Sequence, residues 1–132
     1  MSQIIFQQGE DLIVELPLVE NAVNVDITTA TSVRVQAYVT VNNVKQKVSA
    51  YNSTSKSGYG VCRQKSGGGN TNILQVLLKR AETMNFPVGV LRFFVIVTMP
   101  GATDFPLGIN TQYDFDGIGT VLAGTAKDEI IP

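Results

Sequence analysis

A polar/apolar alternation recurs along nearly the whole chain and restricts its fold more than any other feature. Ser32–Val41 shows it most cleanly: Val33, Val35, Ala37, Val39 and Val41 fall on one side, and Ser32, Arg34, Gln36, Tyr38 and Thr40 on the other. Successive side chains of a strand point to opposite faces, so a period of two marks a half-buried strand. Val44–Tyr51 repeats it, setting Val44, Gln46, Val48 and Ala50 against Lys45, Lys47, Ser49 and Tyr51. Asn42-Asn43 between these two runs tolerates positive φ and predicts a two-residue hairpin. Val90–Met99 is the most apolar run, with Leu91, Phe93, Val95, Val97 and Met99 opposite Val90, Arg92, Phe94 and Ile96.

Gln3–Phe6, Asp11–Leu16, Gly58–Gln64, Ile109–Phe115 and Thr120–Ala123 read as further short strands. Asn72–Arg80 is apolar on both faces (Leu74, Val76 and Leu78 against Ile73 and Leu77), as in a strand covered by a second layer. A helix over Ile73–Met84 is the alternative, since Leu, Lys, Arg, Ala and Glu all accept helical geometry. Pro17, Asp26–Thr31, Asn85–Gly89 and Pro100-Gly101 punctuate the runs. Short strands at this spacing predict an all-β, antiparallel immunoglobulin-like β-sandwich of about seven to nine strands. The expected core includes Val33, Val35, Val39, Val76, Leu91, Phe93, Val95 and Val97. At 132 residues and 44% apolar the chain fits one domain over 1–132. Short terminal arms of about 1–6 and 124–132 are expected to become ordered on assembly.

Charge is segregated. Residues 1–33 carry Glu10, Asp11, Glu15, Glu20 and Asp26 without a Lys or Arg. Residues 34–100 hold nine of the ten basic residues against Glu82 alone, and 101–132 are again acidic. Either the terminal strands pair with the middle strands of the same domain, the favoured reading, or acidic ends meet the basic middle of a neighbouring copy. Only 16% of residues are charged, below the usual quarter. That fits a surface partly covered by another chain, and equally a Ser/Thr/Asn-rich exterior.

With no histidine and one cysteine, the chain excludes Ser-His-Asp and Cys-His catalysis and Cys/His zinc sites. Cys62 reads as a small packed side chain, and a lone cysteine implies no disulfide framework. Asp114-Phe-Asp116-Gly117 opens like a calcium loop but lacks the remaining ligands, so a turn is the better reading. A carboxylate site of Asp104, Asp114 and Asp116 around a metal is the enzyme rival. Ser66–Asn70 is Gly-rich without the Gly-Lys-Ser/Thr of a phosphate cradle. The candidate interaction residues are Arg34, Tyr38, Lys45, Lys47, Tyr51, Arg63 and Lys65, a basic sheet surface with aromatics. Tyr38, Tyr51 and Tyr59 supply the only plausible platform for a carbohydrate-binding module. A pI near 5.3 argues against nucleic acid. Met1–Phe6 has no secretion-signal pattern, and Val88–Met99 is too short to span a bilayer, so no membrane partner is expected.

One resemblance covers roughly residues 8–99. Gln8-Gly9-Glu10-Asp11-Leu12, then Val25–Ala30 feeding Val33-Arg34-Val35-Gln36, then Phe86-Pro87-Val88-Gly89-Val90-Leu91-Arg92-Phe93 is similar to the immunoglobulin-like N-terminal domain of phage baseplate upper proteins. Thr29 departs from that pattern where a turn glycine recurs, and Leu91 where an aromatic is common. The Asn/Thr-rich character and Gly124–Ile131 also resemble small structural proteins of crAss-like phages. The resemblance implies a virion component without catalytic activity or cofactor, assembled in the host cytoplasm. Its partners would be the major capsid protein or other virion proteins, with self-association in the particle. A decoration protein on the capsid is the first expectation; a tail, collar or baseplate adaptor is the second.

Overall fold

The computed structural model describes residues 4–53, 62–101, 103–104 and 106–124. Within these, ten strands and one helical turn follow in order: β1 (Ile4–Gln7), β2 (Leu12–Pro17), β3 (Val19–Glu20), β4 (Val23–Asn24), β5 (Ser32–Val41), β6 (Val44–Asn52), β7 (Cys62–Gln64), β8 (Ile73–Leu78), α1 (Arg80–Thr83), β9 (Gly89–Met99) and β10 (Ile109–Leu122). A five-stranded sheet runs β1-β10-β9-β5-β6, and a three-stranded sheet runs β2-β8-β7. All pairings among them are antiparallel except β1 with β10. The two sheets pack face to face as an all-β sandwich, because each strand presents one apolar side and only a second sheet removes both from water.

The core lies between them. All eight residues expected there are buried, joined by Val14, Leu16, Leu74, Leu78 and Tyr51. Cys62 is packed among them, its thiol directed at the Val33 carbonyl at 3.5 Å. Asn42 and Asn43 both take positive φ, closing the β5–β6 hairpin with Val41 opposite Val44. The acidic ends meet the basic middle inside the chain, as β2 pairs with β8 and β10 with β9.

Several expectations are corrected. Ile4–Phe6 is not a loose arm: it joins β1, pairs with Gly119–Val121, and buries Phe6 edge-on against Phe86 at 6.3 Å. Gly124 is buried too, its N–H directed to Gln8 Oε1; residues 125–132 lie outside the described residues. The run from Asn72 splits into strand and helix. β8 ends at Leu78, and Arg80 opens α1 with its N–H donated to the Asp11 carboxylate. Thr83, fully buried, ties that turn to the start of β2 by donating to the Glu10 carbonyl and accepting from Gly9 N–H. Ile109–Phe115 and Thr120–Ala123 merge into one strand, β10. Between the pairs Phe115–Phe93 and Gly119–Leu91, Asp116, Gly117 and Ile118 stand where β9 has only Arg92. Asp116–Ile118 is therefore an in-strand bulge, with Gly117 at φ 64°, and the turn expected over Asp114–Gly117 is part of β10.

The β3–β4 hairpin turns on Asn21 and Ala22, at φ 52° and 65°. Such paired positive φ values favour Asn-Gly, and an alanine there carries a left-handed penalty of roughly 1–2 kcal/mol. Ala22→Gly is expected to raise stability by about 0.5–1 kcal/mol after the added unfolded-state entropy of glycine. A rise in the urea midpoint at constant m-value checks it.

Candidate functional site

The outward face of the five-stranded sheet gathers the most interaction-competent side chains. Cross-strand partners share a face, so the register places them in rows. Lys47 pairs with Tyr38 and Tyr38 with Arg92, and the bulge bearing Asp116 lies beyond Arg92. The next row runs Ala50, Gln36, Phe94, Asp114; the one after runs Asn52, Arg34, Ile96, Gln112. On the other side lie Lys45, Thr40, Val90 and Thr120. Tyr38, Phe94 and Ile96 are half-buried and Val90 is exposed, making an apolar stripe down the middle. The β5–β6 margin carries Arg34, Lys45 and Lys47, and the β10 margin carries Asp114 and Asp116.

Fixed polar contacts hold the stripe. The Tyr38 hydroxyl donates to Gln36 Oε1 at 2.8 Å. Arg92 grips Asp114 with two parallel N–H donors, Nε at 2.8 Å from Oδ1 and Nη2 on Oδ2. Those hydrogen bonds, and then the charges of Asp114 and Asp116, hold the Arg92 guanidinium above its ordinary pKa. Gln36, Tyr38, Lys45, Arg92 and Phe94 line a shallow depression of about 300 Å³.

Of the expected interaction residues, the structure brings Arg34, Tyr38, Lys45 and Lys47 together here. Tyr51 does not join them. β5 and β6 slip register between Ala37 and Tyr38, with Ala37 facing Ser49 and Tyr38 facing Lys47. The extra residue, Val48, inverts the alternation, because one inserted position sends every later side chain to the other face. Tyr51 thus points inward and is 2% exposed. Arg63 and Lys65 are on the other sheet. There Arg63 Nε donates to Gln75 at 3.0 Å, and Gln75 and Lys65 both bind Glu15 at about 3 Å. These bonds, Gln75's first, hold the Glu15 carboxyl below its ordinary pKa. The single basic surface expected from the sequence is therefore two surfaces on opposite sides of the sandwich. Of the aromatic platform, Tyr38 stands on the outward face and Tyr51 in the core; Tyr59 lies outside the described residues.

Sequence reasoning missed a buried polar cluster. The Ser49 and Tyr51 hydroxyls both donate to Glu82 Oε1, anchoring α1 on β6. Burial first, and the adjacent carboxylate second, push the Tyr51 hydroxyl well above the usual tyrosine range. No spacing signal reveals this contact, because it depends on the bulge that turns both hydroxyls inward.

Among the described residues no group of three or more Asp, Glu or Cys side chains is placed to hold a metal ion, and no helix is long and apolar enough to cross a membrane. Asp114 is engaged by Arg92, and Asp104 sits in the connection from β9 to β10. No protein-family model and no curated protein matches the chain.

Proposed function

We propose that this protein is a non-enzymatic structural component of a phage particle, an auxiliary decoration protein docked on a shell of major capsid protein, and that its sandwich is of the immunoglobulin-like kind. The strand order supports the second part. β2-β8-β7 against β10-β9-β5-β6 follows, in chain order, the BED and GFCC′ sheets of such domains, with β1 added beside β10. The observation that carries the first part is the large outward sheet face. Its half-buried aromatic and aliphatic stripe flanked by charged margins has the anatomy of a protein-binding surface.

The segments that resemble the phage domains sit at strand entries, which supports the same reading. Gln8–Leu12 leads from β1 into β2. Asp26 fixes the turn before β5, its carboxylate accepting from Thr28 N–H at 2.9 Å and from the Thr28 hydroxyl. Phe86 is buried ahead of β9. The alternative is an adaptor ring in the tail, collar or baseplate, which needs the same faces. Electron microscopy of intact particles tests the proposal: copies spread over the icosahedral faces are expected, and a single ring at the tail vertex would replace decoration with the adaptor.

A further inference from the structure

The outward face of the five-stranded sheet matches itself. We infer that a second copy of this chain docks on it, face to face, about a two-fold axis running along the strands. The inference rests on reading this face as a protein-binding surface, and it gives the face to a second copy, so that capsid attachment falls to the outer surfaces of the pair.

Such an axis lies in the plane of the contact and exchanges the two margins of the sheet at constant height along the strands. β6 of one copy then covers β10 of the other. The row Lys47, Tyr38, Arg92, Asp116 is the informative one, because the first three are direct cross-strand partners and Asp116 stands in the bulge opposite Arg92. After the rotation Lys47 stands over Asp116 of the second copy, and Asp116 over its Lys47. In the same row Tyr38 covers the second Arg92, whose guanidinium is already oriented by Asp114 and presents a flat cation to an aromatic ring. One row below, Phe94 and Gln36 exchange places. The contact is isologous, as closed two-fold dimers require. Its rim is charged, and its centre combines Tyr38, Phe94 and Ile96 with the Arg92 guanidinium and Gln36.

The overlapping face suits a weak, reversible contact. With β6 over β10, four strands overlap, about 4.8 Å apart and over nine paired residues at about 3.3 Å each, which gives roughly 19 by 30 Å, or about 570 Å² in projection. A standard stable interface takes about 800 Å² from each partner, and side-chain relief adds to the projected figure. The opposite register, with the axis across the strands, sets Lys47 over the far end of its own β6 margin and brings Arg34 towards Lys45 and Lys47. Like charges suppress that arrangement.

Sedimentation equilibrium of the full chain, from micromolar to millimolar concentration, is expected to show a reversible dimer. Lys47→Glu alone sets a second carboxylate against Asp116, and Asp116→Lys alone sets a second ammonium against Lys47. Each should weaken association about tenfold or more. An equimolar mixture of the two variants removes the like-charge contact at one end by pairing both changed side chains with each other, and leaves the native Asp116–Lys47 pair at the other. It should recover wild-type association as a heterodimer. A fold defect in either variant would not give that rescue. A wild type that stays monomeric, variants that dimerise like the wild type, or a mixture no tighter than its components would each overturn the inference. A monomer that still decorates particles sinks the dimer and leaves the proposed function standing; a rescued dimer absent from any particle does the reverse.

Discussion

Phe93→Ala is expected to lower the free energy of unfolding by about 3–5 kcal/mol. Phe93 is fully buried at the middle of β9, the strand that pairs with β5 on one side and β10 on the other. Its cross-strand neighbours are Ala37 and Phe115. Ala37 is small, so the Phe93 ring fills the space between the sheets that Ala37 leaves. Removing the ring opens a cavity that the strands cannot close, because ladders of hydrogen bonds fix β9 on both edges. Cost follows residual cavity volume, and this site has little freedom to collapse. Since a domain of this size is stable by only about 5–15 kcal/mol, the substitution should move the urea midpoint far. Phe94→Ala, one residue along on the outward face, is the control and should cost much less. A loss below about 1 kcal/mol at Phe93 would mean that the ring does not fill the core as its burial indicates.

The same pair of strands shows why part of the fold is legible in the sequence. β5 and β9 pair over nine consecutive residues without a slip, so their alternation maps directly onto inside and outside. Where the ladder is interrupted, the reading fails from that point on. Val48 in β6 turns Tyr51 from an expected surface aromatic into a core residue. The interruption in β10 makes Asp114–Gly117 look like a turn between two strands. A bulge leaves little mark on local composition: it adds one residue in β6 and two in β10 to an otherwise regular run, and only the partner strand shows which are extra. The β3–β4 hairpin is hidden for a different reason. Its turn uses Asn21-Ala22, without the glycine that usually announces paired positive φ. α1 is a single turn whose first N–H is satisfied by Asp11, just ahead of β2 and distant in sequence, so no local capping residue marks its start. The candidate face is half legible. Arg34, Tyr38, Lys45 and Lys47 come from one unbroken stretch of hairpin, whereas Arg92, Phe94 and Asp116 join them only through sheet order.

Stability should fall as pH rises through the range from about 9 to 12, more steeply than surface charge alone would give. Cys62 is 1% exposed, and burial pushes its thiol from 9.0 up to about 12. The folded state therefore keeps the proton that the unfolded chain releases near pH 9. The contribution is complete below pH 9 and is lost as the pH climbs towards 12, where the folded thiol also ionises. Between those limits one such group costs about 1.4 kcal/mol per pH unit. Tyr51 acts in the same direction from pH 10 upward, its hydroxyl raised by burial and by Glu82. At pH 11 the two together amount to about 4 kcal/mol, comparable with the whole stability of a marginal domain. Urea unfolding at a series of pH values reads the slope directly. Cys62→Ala should flatten it between pH 9 and 10, where the thiol is the only one of the two groups titrating in the unfolded chain. Tyr51→Phe should leave that interval unchanged and flatten only the part above pH 10. If Cys62→Ala and the wild type share one slope throughout, the thiol is not protonated against solvent in the folded state, and the packing of β7 against β5 at Val33 would have to be looser than its 3.5 Å contact indicates.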